Sequence, residues 1–285
     1  MSHPYSHISG SWVKVTSPRP HVALVELSRD PVNAFHEPFW TELGHVFDKI
    51  AEEPTIRAVV LASANSKLFS AGIDIGSLSG TLASESSPDP SRRALQLQGH
   101  IASFQASISA LERCRYPVIV ATHGVAYGLS IDIIAACDVR YAASSTSFAV
   151  KEVDVGLAAD IGTLARLPKI TGNQSLASEL AFTARPFDAS EALTLGLVSR
   201  VVNGGRDEVV KAALETATLI AEKSPIAVLG TKKLLLHARD HSVAENLDYT
   251  AVWNSAMLQT QDIPSAVVAF RKKQKPKFGP LGPKL

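Results

Sequence analysis

Cysteine is scarce in this chain: there are two, Cys114 and Cys137, among 285 residues. That excludes a disulfide scaffold and a Cys-rich zinc module, and it fits a reducing, intracellular setting. An excess of one charge is also missing. The 28 Lys and Arg face 27 Asp and Glu, a net of +1, so no global field draws the chain to nucleic acid or an anionic membrane. No apolar run approaches the ~18 residues of a membrane span. Residues 1–10 carry neither an apolar stretch nor an Arg, so neither a secretory signal nor a mitochondrial presequence is expected there. The patterns G-x-x-x-x-G-K-[ST], G-x-G-x-x-G and H-E-x-x-H are absent, which removes the standard phosphate-loop, dinucleotide and zinc-protease readings. Gly76-Ser77-Leu78-Ser79-Gly80 has the frame of a nucleophile elbow with Leu at its centre, so it is not one. His237 and His241 share a helical spacing, but Arg239 and Asp240 mark a solvated stretch and no third ligand is near in sequence. No metal is expected.

What is present is a globular composition, 46% hydrophobic and 19% charged. The length suits one large domain or two modest ones, at roughly 100–200 residues per domain. β-rich runs at 13–16 and 22–27, separated by Ser17-Pro18-Arg19-Pro20, predict a hairpin-like pair. Phe39, Leu43, Val46, Phe47 and Ile50 predict a helix over 38–51, and 92–113 a longer one. Buried-strand patterns lie at 58–62 and 118–121, shorter ones at 139–142 and 147–149, and an apolar helix at 129–136. Between them, His123 to Gly128 is expected to be a glycine-containing turn. From Ser175 onward helices dominate: 189–195 ending at Gly196, 207–223, one started by Ser224-Pro225, and 243–258. The expectation is an α/β core followed by a helical region. The basic tail 271–285, rich in Pro and Gly, is expected to be weakly ordered, with no nearby acids to offset its cations.

Two features bear on chemistry. Phe69-Ser70-Ala71-Gly72-Ile73-Asp74 and Tyr127-Gly128-Leu129 each follow an apolar strand. Backbone N–H groups there favour negative charge, and two converging on one point would form an oxyanion hole. The alternative is two ordinary turns. Second, Asp132 stands in an apolar helix, and Glu152, Asp154 and Asp160 stand in Val150-Lys151-Glu152-Val153-Asp154-Val155-Gly156-Leu157-Ala158-Ala159-Asp160. Buried carboxylates are costly unless paired, protonated or functional, and their raised pKa suits acid/base work. The alternative is structural ion pairing with Lys151, Arg140 and Arg166. Asp138, beside Arg140, belongs with the structural residues.

At these residues the chain resembles the enoyl-CoA hydratase/isomerase (crotonase) superfamily, through 69–75 and through His123-Gly124 to Cys137-Asp138-Val139-Arg140. Lys151 to Leu164 is similar to the signature of Δ3,5-Δ2,4-dienoyl-CoA isomerases, as are Asp240-His241-Ser242-Val243, Asn246-Leu247-Asp248-Tyr249 and Met257 to Asp262. The resemblance implies a spiral of repeated ββα units with a C-terminal helical trimerisation region. The corresponding divisions are a core over 12–200, helices over 201–270 and a tail over 271–285. It implies an oxyanion hole from the N–H groups of Ile73 and Leu129, with Ala71, Gly72, Asp74 and Gly128 around the substrate. Leu129-Ser130 stands where the family has glycines.

The subfamily's three acids fall on Asp132, Glu152 and Asp160. A simple hydratase would have Glu, Glu and Gly at those positions. The implied reaction converts a 3,5-dienoyl-CoA to a 2,4-dienoyl-CoA by moving a proton from C2 to C6. It implies no metal and no cofactor beyond the CoA of the substrate, and a homotrimer or dimer of trimers. The C-terminal Pro283-Lys284-Leu285 resembles a peroxisomal address read by an import receptor. Peroxisome is therefore the expected location, with mitochondrion or cytosol as alternatives. The rival readings are another enoyl-CoA isomerase or hydratase and a non-catalytic binding protein on the same fold.

Overall fold

The computed structural model describes residues 4–77 and 89–282. Its main sheet is built from β1 (Val13–Arg19), β2 (Val22–Leu27), β3 (Ala58–Ser63), β4 (Val118–Thr122), β6 (Val139–Ala143) and β9 (Arg200–Val202), in that spatial order. β1 and β2 form the expected antiparallel pair, with Val13 opposite Leu27; every later pairing is parallel. A second sheet holds β5 (Val125–Tyr127), β7 (Ser147–Ala149) and β8 (Phe187–Asp188). Thus β4 leads into β5 and then the helix Leu129–Ala135, and β6 leads into β7 and then the helix Thr163–Ile170. These are successive ββα turns of a spiral whose paired strands lie in different sheets.

The parallel strands are continuous apolar runs because both of their faces are covered. Along β3 and β4, alternate residues enter two cores. Val59, Leu61, Val118 and Val120 join the larger one, with Leu43, Phe47 and Ile108. Ala58, Val60, Ile119 and Ala121 meet Val209, Val210, Ala213 and Ala217 of the helix Arg206–Ala221. The helix Glu37–Glu52 buries Phe39, Trp40, Leu43, Val46, Phe47 and Ile50. It crosses the helix Pro90–Arg113 closely at Gly44, where a β-carbon would lie 2.9 Å from the Ser107 backbone.

Three expectations change. His123 to Gly128 is not only a turn, because it contains β5, which pairs with β7 at the edge of the second sheet. The division at residue 200 falls at the first residue of β9, and the helix after it packs on the main sheet, so the core continues to about Ala221. The tail is strapped down as far as Gly282. Leu281 is buried, Arg57 donates to the Phe278 carbonyl at 2.5 Å, and Arg115 donates to the Gly282 carbonyl at 3.3 Å. Nor are its cations all unopposed, since Lys275 pairs with Glu222 at 2.7 Å. Most of the expected mobile loop over 76–91, and Pro283-Lys284-Leu285, lie outside the described residues. Among the described residues, no helix is long and apolar enough to cross a membrane.

Candidate active site

The two turns converge. The first lies along β5: Phe69 and Ser70 donate N–H bonds to the Val125 carbonyl, and Tyr127 donates to the Ser70 carbonyl at 3.2 Å. At Gly72 the chain takes φ +98°, and a β-carbon there would sit 2.8 Å from the Tyr127 carbonyl oxygen and 3.5 Å from the Leu129 nitrogen. Only glycine allows both that conformation and that approach. The Gly72 carbonyl accepts from Phe35 N–H at 2.8 Å. In a planar trans peptide the Ile73 N–H then points the opposite way. Leu129 opens its helix, so its N–H has no intrahelical acceptor. Among the described residues, neither the Ile73 N–H nor the Leu129 N–H donates to a protein acceptor.

Asp132, one turn into that helix, is buried, and its Oδ1 accepts from the Thr163 N–H at 2.6 Å. Burial pushes its carboxyl up to about 7, and the charge of Glu152 adds to this. Glu152 begins the short 3-10 turn Glu152–Val155 and is half-buried. Its Oε1 lies 3.7 Å from where a β-carbon at Gly128 would be, and its Oε2 is covered yet has no hydrogen-bond partner. Burial raises its pKa, and the Asp160 charge pushes in the same direction. Asp160 differs from expectation. It is exposed and opens onto a cavity of about 500 Å³ lined by Ala159, Ile161, Gly162 and Arg166. Ile73, Leu129 and Glu152 are not on the walls of that cavity. Asp154 is likewise exposed.

The cations offered for structural pairing divide: Lys151 makes the structural pair with Asp154, while Arg166 and Arg140 are engaged outside this run of acids. Lys151 pairs with Asp154 at 2.8 Å and Arg166 with Glu112 at 3.0 Å, while Arg140 caps the carbonyls of Leu197 and Cys137. Asp138 is structural: it meets Lys232 at 2.7 Å and accepts from Val118 N–H at 2.8 Å. Among the described residues, no salt bridge reaches Asp132, Glu152 or Asp160. Around the first turn, Ala71 is exposed and donates to the Val32 carbonyl. Asp74 accepts from Ser77 N–H and pairs with Arg29 at 3.1 Å. These contacts, the Ser77 bond foremost, hold its carboxyl below the usual range. His237 and His241 stack on each other, with His237 Nδ1 on Asn246. The hydrogen-bonding roles not foreseen in sequence are those of Thr163, Ser130, Ser70 and Asn33. These residues act through hydrogen bonds between positions about 30 to 60 residues apart, which no local sequence pattern reveals.

The model of the family described as enoyl-CoA hydratase/isomerase matches residues 19–280. The chain belongs to the enoyl-CoA hydratase/isomerase family. It is 46% identical over 263 residues to a protein named Delta(3,5)-Delta(2,4)-dienoyl-CoA isomerase, mitochondrial, of Mus musculus, covering 92% of this chain and 80% of that one. It is 45% identical over 251 residues to the Arabidopsis thaliana protein of that name designated peroxisomal, covering 88% of this chain and 89% of that one. The crystal structure of an enoyl-CoA hydratase from Bacillus anthracis superposes with a TM-score of 0.84 at 28% identity, over 94% of this chain and 99% of that one. Family membership therefore places the converging turns and the acids in a fold shared with enzymes named for enoyl-CoA chemistry.

Proposed function

We propose that this enzyme is an isomerase of unsaturated fatty acid β-oxidation that converts 3,5-dienoyl-CoA to 2,4-dienoyl-CoA. The observation that carries the reading is the covered, unpartnered Oε2 of Glu152 beside the turn that presents the Leu129 N–H. A carboxylate oxygen left without a donor or cation is a base awaiting a proton. The thioester oxygen lies between the N–H groups of Ile73 and Leu129. Glu152 takes a proton from C2, and the electron pair spreads through the diene to the thioester oxygen as a dienolate. Glu152 passes that proton to Asp160, directly or through water, and Asp160 delivers it to C6, so that the double bonds settle at C2 and C4. Both carboxylates are then back in their starting state. Asp132 keeps its own proton up to about 7 and so spares Glu152 a second negative neighbour. The scheme uses no cofactor beyond the CoA carried by the substrate.

The same reading makes the protein a homotrimer or a dimer of trimers. In the protomer Leu235, Val243, Leu247, Val252, Leu258 and Phe270 of the C-terminal helices stand exposed, a larger apolar surface than isolated side chains explain. It also places the enzyme in the peroxisome through Pro283-Lys284-Leu285; the named relatives include both peroxisomal and mitochondrial proteins. The test is an ultraviolet assay for the conjugated 2,4-dienoyl product, with 2-enoyl-CoA as the rival substrate. Asp160→Asn is expected to lower kcat ~10²-fold or more while C2 exchange with deuterated solvent persists. Glu152→Gln is expected to abolish that exchange. The opposite pattern would exchange the two roles, and hydration of 2-enoyl-CoA with no dienoyl turnover would overturn the reading.

A further inference from the structure

Ser130 is the second residue of the helix that Leu129 opens, and the proposed mechanism gives it no task. Its side chain is fully buried, and Oγ donates to the Ser70 carbonyl at 3.0 Å. That carbonyl also accepts the Tyr127 N–H. The Ser70 hydroxyl in turn donates to the Asn33 carbonyl at 2.7 Å and accepts from the Gly72 N–H at 3.0 Å. Asn33 Nδ2 donates to Ser63 Oγ at 2.8 Å and to the Phe69 carbonyl at 2.9 Å, and its Oδ1 accepts from the Arg29 N–H. Ser63, Asn33, Ser70 and Ser130 are each no more than 1% exposed. A buried polar chain with its donors used in this way resists distortion, because any slip leaves a polar group unpaired in a low-dielectric interior.

The placement of this chain is specific. One end grips Gly72 N–H, next to the peptide that carries the Ile73 N–H, and the other end grips the second residue of the helix that Leu129 opens. We propose that Ser130 is a positioning residue: it ties the two turns together and sets the spacing of the Ile73 and Leu129 N–H groups for one thioester oxygen. This rests on the oxyanion-hole reading above. A glycine at 130 has no hydroxyl to make the tie, so this chain sets by a side-chain bond a spacing that Gly72, Gly128 and the backbone bonds alone would leave looser. Catalytic hydrogen bonds are sensitive to such looseness, because the donors must meet the oxygen where charge develops.

The experiment uses the full-length enzyme with 2,4-dienoyl-CoA carrying ¹³C at the thioester carbonyl. Its infrared C=O stretch, bound and free, reports how strongly the two N–H groups polarise that bond. Ser130→Ala and Ser130→Gly are compared with Ser130→Cys, which keeps the volume and a weak donor. The expected result is a bound stretch below that of free ligand in the parent enzyme. In Ala and Gly the lowering should be smaller and kcat should fall about 10-fold with KM little changed, less than the loss of a whole oxyanion donor. Cys should be intermediate and serves as the folded reference should the smaller residues fail to fold. Variants that match the parent in stretch and kcat would overturn the role of Ser130 and leave the hole intact. A parent enzyme that leaves the stretch unmoved would instead remove the hole itself, and Ser130's role with it.

Discussion

A carboxyl buried without a cation keeps its proton, and Asp132 makes that measurable. In an unfolded chain it titrates near 3.8, and in the fold at about 7. The native state therefore loses relative stability as pH rises from about 4 through about 7, and the loss is complete above that. The full penalty is on the order of 4 kcal/mol at most. Asp132→Asn, which carries no charge to bury, should gain stability over the parent between pH 5 and pH 8, read as the difference in urea midpoints. A gap that stays constant over that range would show that Asp132 ionises as readily in the fold as outside it. The choice between structural and functional acids also lives at this scale. The sequence held three cations near Glu152 and Asp160, and only the structure shows Lys151 spent on Asp154 and Arg166 on Glu112.

Among elements, strong periodicity and cap chemistry were legible. Ser224 caps its helix through the Ala227 N–H, and Gly196 ends another at φ +89°. The three residues of β5 were not legible, because a strand that short, bounded by Gly124 and Gly128, carries the composition of a turn. Its register depends on Gly124, which lies at φ +57° with its β-carbon position 1.9 Å from the Lys67 carbonyl oxygen. Gly124→Ala must move backbone as well as adopt a left-handed conformation. Its expected cost is on the order of 3 kcal/mol, and kcat should fall with it because β5 aligns both turns. A thermal melt within a degree of the parent would mean that the Lys67 segment yields freely.

Across the whole molecule, an ion pair between a buried lysine and a partly buried aspartate joins the C-terminal helices to the sheet. Lys232, in the helix Pro225–His237, meets Asp138 at 2.7 Å and donates to the Tyr116 carbonyl at 3.1 Å. Lys232→Met takes the cation from Asp138, a loss of up to about 3 kcal/mol, since Asp138 keeps the Val118 N–H and some contact with solvent. Pairing it with Asp138→Asn should recover part of this, since an Asn oxygen still accepts from Val118 N–H; a double variant no better than the single would deny that the charge is the cause. The tail makes a second, separable prediction. Deleting Lys284-Leu285 should leave a fluorescently tagged enzyme in the cytosol with its purified activity intact, because the strap through Leu281 and Arg57 lies within the residues that remain. Peroxisomal import of the truncated chain in cells lacking the intact subunit would refute the address.

The sequence by itself determined the α/β alternation, the helix ends and the family, because hydrophobic period, capping residues and motif spacing are local properties of the chain. It also marked Ile73, Leu129, Asp132, Glu152 and Asp160 through the family resemblance. Only the tertiary structure decided which acids lack cations, that Asp160 faces solvent, and that Ser130 bonds to Ser70 across 60 positions of chain. Those facts depend on residues distant in sequence meeting in space, and the pairing of a charge or a hydroxyl is fixed by what the fold brings within about 3 Å of it.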